Sequence, residues 1–177
     1  GLPEKTTAMY VGSLGGWKGT DTFMKAASFV PEVQFAVVGG KPAEIKVLST
    51  QYPEVQFFGE RPYRDAPLSH AAGDCIVIPN TAKDPISTRM TSPLKVFTAM
   101  AAGRPIVASD IASLREILSD REAFFFTPDD PEALAAEVRK ILANPSDARE
   151  RAQNALHEVE HYTWDARARD ILRFVSA

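Results

Sequence analysis

The sequence predicts an α/β domain built on a doubly wound parallel sheet. Segments with strand character alternate with segments of helical periodicity along the whole 177 residues. The strand segments are mostly continuous apolar runs, such as residues 74–79, and this pattern is typical of strands buried on both faces. Right-handed helical crossovers between such strands place helices on both sides of the sheet.

The predicted elements follow one another without an internal boundary, so we expect a single domain over 1–177. The strands are expected at 7–12, 33–40, 55–59, 74–79, 106–108 and 123–126. The helices are expected at 20–30, 42–52, 66–72, 93–102, 113–118, 131–142, 146–161 and 164–175.

Several helix boundaries rest on capping residues. The hydroxyl or carboxylate of a capping residue accepts a hydrogen bond from a free amide at the start of the helix. Four such caps are predicted: Thr20, Ser92, Asp130 and Thr163. Pro93 then occupies a first helical position, where its missing N–H costs nothing. Gly103 stands where a helix commonly ends in a left-handed residue.

The bulk composition narrows the class of protein. A net charge of −3 argues against a surface built for nucleic acid or anionic lipid. No apolar run approaches the roughly 20 residues of a membrane span. The one cysteine, Cys75, excludes an internal disulfide and is expected to be an inert buried thiol. We expect a cytoplasmic location, and we interpret the start at Gly1 as a cut from a longer protein or as a remnant of a tag.

An anion site is predicted at the carboxyl ends of the strands, where such sheets bind ligands. The helix that begins at Pro93 directs the amides of Leu94 and Lys95 outward, with the Lys95 ammonium beside them. The glycine-rich loop 12–19 lets the backbone approach a diphosphate closely, and its Lys18 can neutralise the charge. A tight turn with a solvated lysine is the simpler interpretation of that loop taken alone.

Five motifs occur in order along nearly the whole chain, at residues 11–19, 55–59, 72–79, 91–118 and 162–168. Together they resemble the nucleotide-sugar-binding half of retaining glycosyltransferases with the GT-B fold, and more narrowly glycosyltransferase family 4. That family has two Rossmann-like domains facing a cleft, and this chain resembles the C-terminal one. The resemblance implies a single Rossmann-like donor-binding domain over 1–177, with the N-terminal acceptor domain absent.

The resemblance also implies a function. The chain would be the donor half of an enzyme that transfers a sugar from a nucleotide diphosphate sugar, as in bacterial polysaccharide or glycolipid synthesis. The expected partners are the nucleotide-sugar donor and the acceptor domain, and any membrane contact would come through that missing half. No cofactor is expected. The sequence holds no Asp-x-Asp motif, so we also expect transfer without a metal.

The site residues that the resemblance implies fall into three groups. The donor diphosphate is expected at Gly15, Gly16, Lys18, Leu94 and Lys95. The ribose or the base is expected at Glu60, Arg61 and Thr98. The donor sugar is expected at Met90, Thr91 and Ser92. Catalytic residues are not assigned.

This sequence departs from the family pattern at three positions. Ser13 stands where the family usually has an arginine, and Met90 and Thr98 stand where it usually has glutamates. A degenerate, non-catalytic binding or scaffold domain is therefore the alternative hypothesis. A nucleotide-sugar epimerase is a weaker alternative, because that group needs catalytic carboxylates and histidines. His70 is interpreted as a solvated or packed side chain.

Overall fold

The computed structural model describes residues 5–90 and 94–176 and contains a six-stranded parallel sheet. The strands are β1 (Thr7–Val11), β2 (Gln34–Val38), β3 (Val55–Phe57), β4 (Cys75–Ile78), β5 (Ile106–Ser109) and β6 (Ala123–Phe126). Their order across the sheet is β3-β2-β1-β4-β5-β6, and every neighbouring pair is parallel. The predicted doubly wound α/β fold is confirmed.

Helices lie between the strands and after the last strand. They are α1 (Thr20–Ala26), α2 (Pro42–Gln51), α3 (Ala66–Ala71), α4 (Leu94–Ala101), α5 (Ala112–Arg115), α6 (Pro131–Ala143), α7 (Pro145–Glu158) and α8 (Trp164–Val175). Short 3-10 turns cover Gly16–Lys18, Ala27–Phe29, Tyr63–Asp65 and Val159–Tyr162.

The sheet has an apolar core on each face. On one face α1 and α6 pack over the sheet, and Phe23 lies between Tyr10 and Phe35 with ring centroids 5.9 and 4.9 Å apart. On the other face α4 buries Val96 and Met100 against strands β4 and β5. Strand residues alternate between the two cores along the pleat, so a parallel strand buried on both faces must be apolar throughout.

The strand order reverses between β1 and β4, and the loops after these two strands meet there. The Trp17 carbonyl accepts a hydrogen bond of 3.1 Å from the amide of Thr81. Gly19 has a φ of 64°, and a Cβ built on it would lie 1.7 Å from the carbonyl oxygen of Pro79. A glycine is therefore required where the first loop crosses the second.

Capping predictions are confirmed at two helices. Asp130 accepts hydrogen bonds of 3.0 Å from the amides of Glu132 and Ala133, and Thr163 accepts one of 3.1 Å from Ala166. Gly103 is left-handed, with a φ of 61°. The Ser92 cap and the Pro93 position lie outside the described residues.

Several predicted bounds differ from the structure, and three differences change the type or the cap of an element. Helix α1 begins at Thr20 itself, with Gly19 as the N-cap, because the Thr20 hydroxyl accepts from the Gly15 amide instead. Residues 27–29 continue α1 only as a 3-10 turn. Ile86–Met90, predicted as loop, forms a π-helical turn, since the Asp84 carboxylate and carbonyl accept from amides at 86 and 88.

The last helix contributes nothing to either core. Helix α8 has no buried residue, and Trp164 and Phe174 are 80% and 85% exposed. Its apolar side chains nevertheless recur at helical spacing, so one face of the helix is apolar. Among residues 5–90 and 94–176, no helix combines the length and the apolar character that crossing a membrane requires.

Candidate functional site

Two lysine ammonium groups converge on the end of strand β1. Lys18, in the 3-10 turn of the glycine-rich loop, donates a hydrogen bond to the Ser13 hydroxyl. Lys95, in the first turn of α4, donates to the Tyr10 hydroxyl at 3.2 Å and lies 4.7 Å from the centroid of that ring. Tyr10 in turn donates to the Ser13 carbonyl at 2.8 Å. Both ammonium groups therefore bind side-chain hydroxyls of residues 10–13, at the end of β1.

This pair of positive charges has no counter-charge. Within the described parts of the chain, neither Lys18 nor Lys95 forms an ion pair with a carboxylate. Burial, together with the nearby charge of Lys18, lowers the pKa of Lys95 to about 8. Both causes penalise the charged ammonium, and the negative charge of a bound anion would offset both. A negatively charged group would suit this arrangement in both its geometry and its charge.

Gly12 lies directly beside the Lys95 ammonium and the Tyr10 hydroxyl. Its φ is 153°, and a Cβ at this position would lie 3.0 Å from the Tyr10 hydroxyl and 3.3 Å from the Lys95 ammonium. Any side chain would therefore crowd the space in which the ammonium lies. The glycine-rich loop serves the site here by leaving room for a charge.

The loop amides predicted to bind the diphosphate, those of Gly15 and Gly16, belong to residues that line a separate hollow from the ammonium pair. The Gly15 amide donates to the Thr20 hydroxyl at 3.1 Å, so it already has a partner in this conformation. Gly15 and Gly16 line a hollow of about 550 Å³ whose other walls include Trp17, Lys83 and Asp129. The ammonium groups of positions 18 and 95 are not among the walls of that hollow.

The predicted residues around the start of α4 are partly described. Leu94 begins the helix and its side chain is 61% exposed, so its contribution to an anion site would come from its backbone amide. Met90 ends the π-helical turn and is 73% exposed. Thr91 and Ser92, predicted at the donor sugar, lie outside the described residues.

The predicted base region contains an apolar hollow. Arg61 is exposed and lines a space of about 390 Å³ that is otherwise walled mainly by apolar residues, among them Met9, Phe58 and Leu68. Glu60 is also exposed but is not among the residues lining it. A shallow apolar space beside a guanidinium group can accept the flat face of an aromatic ring.

Thr98 lies in the same cluster as Lys95, one turn further along α4. Its hydroxyl donates to the Lys95 carbonyl at 3.0 Å and lies 3.3 Å from the His70 Nε2 atom. His70 comes from α3 and is only 3% exposed. Burial, with a smaller effect of the Lys95 charge, lowers the pKa of His70 to about 4, so its imidazole is neutral at physiological pH.

No periodic pattern in the sequence predicts that His70 lies in this cluster. Of the two predicted alternatives for His70, solvated or packed, the structure shows the packed one, and its contact with Thr98 was not predicted. The topology could have predicted that the helices carrying His70 and Thr98 are neighbours. Helix α3 precedes β4 and α4 precedes β5, and because these strands are adjacent, both helices lie on one face of the sheet. In the described ranges, no group of three or more His, Cys, Asp or Glu side chains is placed to hold a metal.

Known proteins with the same fold are numerous. Sucrose-phosphate synthase from Thermosynechococcus elongatus superposes with a TM-score of 0.83 at 26% identity, over 99% of this chain and 46% of that one. HepE from Anabaena, solved in complex with UDP-glucose, superposes with a TM-score of 0.80 at 22% identity, over 98% of this chain and 49% of that one. The GT-B expectation for the fold is thereby confirmed.

Sequence comparison gives the family directly. The chain is 27% identical to the sulfoquinovosyl transferase SQD2 of Arabidopsis thaliana over 172 residues, which are 94% of this chain and 32% of that protein. The chain thus spans about a third of the length of this relative. Residues 5–144 match the model of the family described as glycosyl transferases group 1. The chain belongs to the glycosyl transferases group 1 family.

Proposed function

We propose that this chain is the donor-binding domain of a retaining glycosyltransferase that uses a nucleotide diphosphate sugar. The observation that carries the proposal is the uncompensated pair of ammonium groups, Lys18 and Lys95, at the switch point of the sheet. A diphosphate supplies the negative charge that the described residues around these lysines lack.

The same pair suits the chemistry of transfer. When the bond between the sugar C1 and the diphosphate oxygen breaks, the electron pair leaves with the diphosphate, and negative charge develops on that oxygen. Preorganised cations beside the leaving group stabilise this charge more in the transition state than in the ground state. We infer that Lys18 and Lys95 perform this task, with the amides of Leu94 and Lys95 adding partial positive charge from the helix end.

The remainder of the donor fits the neighbouring features. We place the base at the apolar hollow lined by Arg61, and the ribose near Thr98. We place the donor sugar towards Met90 and the two residues that follow it. HepE is the relative solved with UDP-glucose, and it makes UDP the first nucleotide to test.

We propose further that a second domain supplies the acceptor site. The chain covers 32% of the plant relative and 46–49% of the two solved ones, which leaves room for a domain of similar size in the whole protein. The exposed apolar face of α8 supports this proposal, because exposed apolar surface marks a contact with another domain or protein. Any membrane association would then depend on that domain.

Titration calorimetry of the 177-residue chain with UDP, GDP and ADP tests the proposal. We expect one of the three to bind at sub-millimolar concentration, and we expect Lys18→Ala or Lys95→Met to weaken it at least tenfold. Lys46→Ala is the matched control, because Lys46 is an exposed lysine of α2 without an ion pair among the described residues. Absence of binding by all three nucleotides at millimolar concentration would refute the proposal.

A non-catalytic binding domain is the second candidate, and one observation favours it. The two positions where the family usually has glutamates hold Met90 and Thr98, so neither supplies a carboxylate to a donor. Introducing Thr98→Glu together with Ser13→Arg should then raise nucleotide affinity sharply, as it would in a vestigial site. Unchanged affinity would argue that the present residues already form a working site.

A further inference from the structure

Asp129 holds a backbone conformation that normally favours glycine. Its φ is 62°, and among residues 5–90 and 94–176 it is the one residue other than glycine with a positive φ. This left-handed region costs an L-residue free energy, although aspartate and asparagine tolerate it better than most. A glycine at this position would avoid that cost. The side chain of Asp129 is therefore expected to supply an interaction that a glycine could not.

The Asp129 carboxylate joins the loop after β6 to the segment that follows β4. The Thr81 hydroxyl donates to Oδ1 at 2.5 Å, and the Ala82 amide donates to Oδ2 at 3.0 Å. We call these two hydrogen bonds the Asp129 anchor. Thr81 is buried, and its hydroxyl oxygen also accepts from the Lys83 amide at 3.1 Å. Both oxygens of the carboxylate are thus used on the start of one segment.

Thr81 also connects the Asp129 anchor to the glycine-rich loop. Its amide donates to the Trp17 carbonyl at 3.1 Å, and Trp17 is the residue before Lys18. Three loops therefore meet at Thr81: the glycine-rich loop, the segment after β4 and the loop after β6. The bond to Trp17 comes from the backbone of Thr81, so the loss of the Asp129 side chain leaves its donor and its acceptor unchanged.

Beyond Thr81, the same segment reaches the predicted donor-sugar residues. It continues through the π-helical turn Ile86–Met90. The Ser113 hydroxyl of α5 donates to the Ser87 carbonyl in this turn at 2.6 Å. Ser113 therefore holds the turn, and Asp129 holds the start of the segment.

We propose that Asp129 is a positioning residue for the donor sugar. Its carboxylate fixes the start of the segment 81–90 and thereby the place of Met90 relative to the diphosphate site. This inference rests on the proposed function and adds to it a residue outside the five motifs of the family resemblance. A segment that is already ordered loses less conformational entropy when a ligand binds. Removal of the anchor should therefore weaken the contact with the sugar and spare the contact with the diphosphate.

Calorimetry with a nucleotide and its nucleotide sugar tests the inference. The probes are UDP with UDP-glucose, GDP with GDP-mannose and ADP with ADP-glucose, and the pair that binds the wild-type chain best is used. Asp129→Gly should weaken the nucleotide sugar by about fivefold or more, the effect of roughly one hydrogen bond, and leave the nucleotide within about twofold. Asp129→Asn tolerates the left-handed conformation and keeps one acceptor oxygen, so its loss should be smaller.

Asp130→Ala is the matched control, because the neighbouring Asp130 carboxylate accepts from two amides at the start of α6. This control should lower the urea midpoint of the chain and leave the affinity for the nucleotide sugar within about twofold. Asp129→Gly should show the opposite pattern, since relief of the left-handed conformation offsets the lost hydrogen bonds. The two profiles separate a positioning role from a merely structural one.

Thr81→Val removes the other partner of the Asp129 anchor while keeping the shape of threonine. It should weaken the nucleotide sugar about as much as Asp129→Gly does. The double variant should then bind about as well as the weaker single variant, because both changes remove the same interaction. Fully additive losses would contradict the proposed anchor.

The outcomes separate the two proposals. Equal losses for the nucleotide and the nucleotide sugar in Asp129→Gly, no loss for either, or a wild-type chain that binds a nucleotide but none of the nucleotide sugars would overturn the inference and leave the nucleotide site standing. Failure of the wild-type chain to bind any of the six probes would instead refute the proposed function.

Hydrogen exchange gives a second measurement that needs no ligand. In Asp129→Gly, the amides of residues 82–88 should exchange about fivefold or more faster than in the wild type, with unchanged rates in the sheet. Unchanged exchange in this segment would show that Asp129 does not hold it, and would overturn the inference.

Discussion

At the scale of single residues, the site is a compromise between burial and charge. Lys95 points into a half-buried space beside Tyr10 and Gly12, where desolvation penalises its ammonium. Lys18 adds like-charge repulsion to that penalty. A lysine in such surroundings destabilises the free domain and becomes favourable when an anion binds, which is the behaviour expected of a functional residue.

The first prediction concerns the pH dependence that this compromise creates. In the unfolded chain Lys95 should titrate near its ordinary value of 10.5, and in the folded domain its pKa is about 8. Between these values the unfolded state binds more protons, so the free energy of unfolding rises with pH through this window. Below pH 8 both states are protonated and the destabilisation is fully present.

Lys95→Met should therefore stabilise the free domain below pH 8, by an amount on the order of 2 kcal/mol once partial solvent exposure is considered. The difference between the free energies of unfolding of this variant and the wild type should narrow as the pH rises from 8 to 10. Urea unfolding at pH 6 to 10 measures it, with Lys46→Met as the control that should stay flat. If the stability of the variant had the same pH dependence as that of the wild type, the Lys95 ammonium would not be penalised by burial in the free domain.

At the scale of elements, apolar runs and caps predicted most of the architecture. Strands such as β4 are apolar throughout because both faces are buried, and the sequence shows this directly. Asp130 marks the start of α6 by a mechanism that depends on neighbouring residues only. The π-helical turn at Ile86–Met90 was missed, because its start depends on the single Asp84 side chain and apolar periodicity does not report it.

The second prediction tests one of these local determinants. Asp130→Ala removes the acceptor of two amides at the start of α6 and should lower the free energy of unfolding by about 1 kcal/mol. Asp130→Asn, which retains an acceptor, should cost much less. Equal stability of the two variants in urea unfolding would show that the cap is not used in solution.

The site was only half predictable at this scale. Lys18 and Lys95 could be placed because each lies at a loop or helix end next to a strand, and such ends share one edge of a parallel sheet. Their meeting through Tyr10 and Ser13 depends on side-chain packing across 85 residues of sequence, which no local pattern encodes. The contact of His70 with Thr98 was missed for the same reason.

At the scale of the whole molecule, the described residues form an apolar core on each face of the sheet, and α8 buries no residue in either core. Met100 is fully buried against the sheet, whereas Phe174 of α8 is 85% exposed. The apolar face of α8 therefore does not stabilise the fold of residues 5–90 and 94–176. That face is available for the second domain that we propose.

The third prediction follows from this division. Phe174→Ser should change the free energy of unfolding of the 177-residue chain by no more than about 0.5 kcal/mol. Met100→Ala, a change in the core, should cost about 3 kcal/mol. A loss at position 174 as large as that at position 100 would show that α8 packs on this domain in solution.

The central claim is that two ammonium groups at the switch point hold the diphosphate of a nucleotide. A crystal structure of the chain with UDP, or with GDP or ADP if one of these binds better, tests it most directly. We expect the Nζ atoms of Lys18 and Lys95 to lie at about 2.7–2.9 Å from diphosphate oxygens. A diphosphate bound instead in the hollow beside Asp129, with both ammonium groups unliganded, would contradict the account.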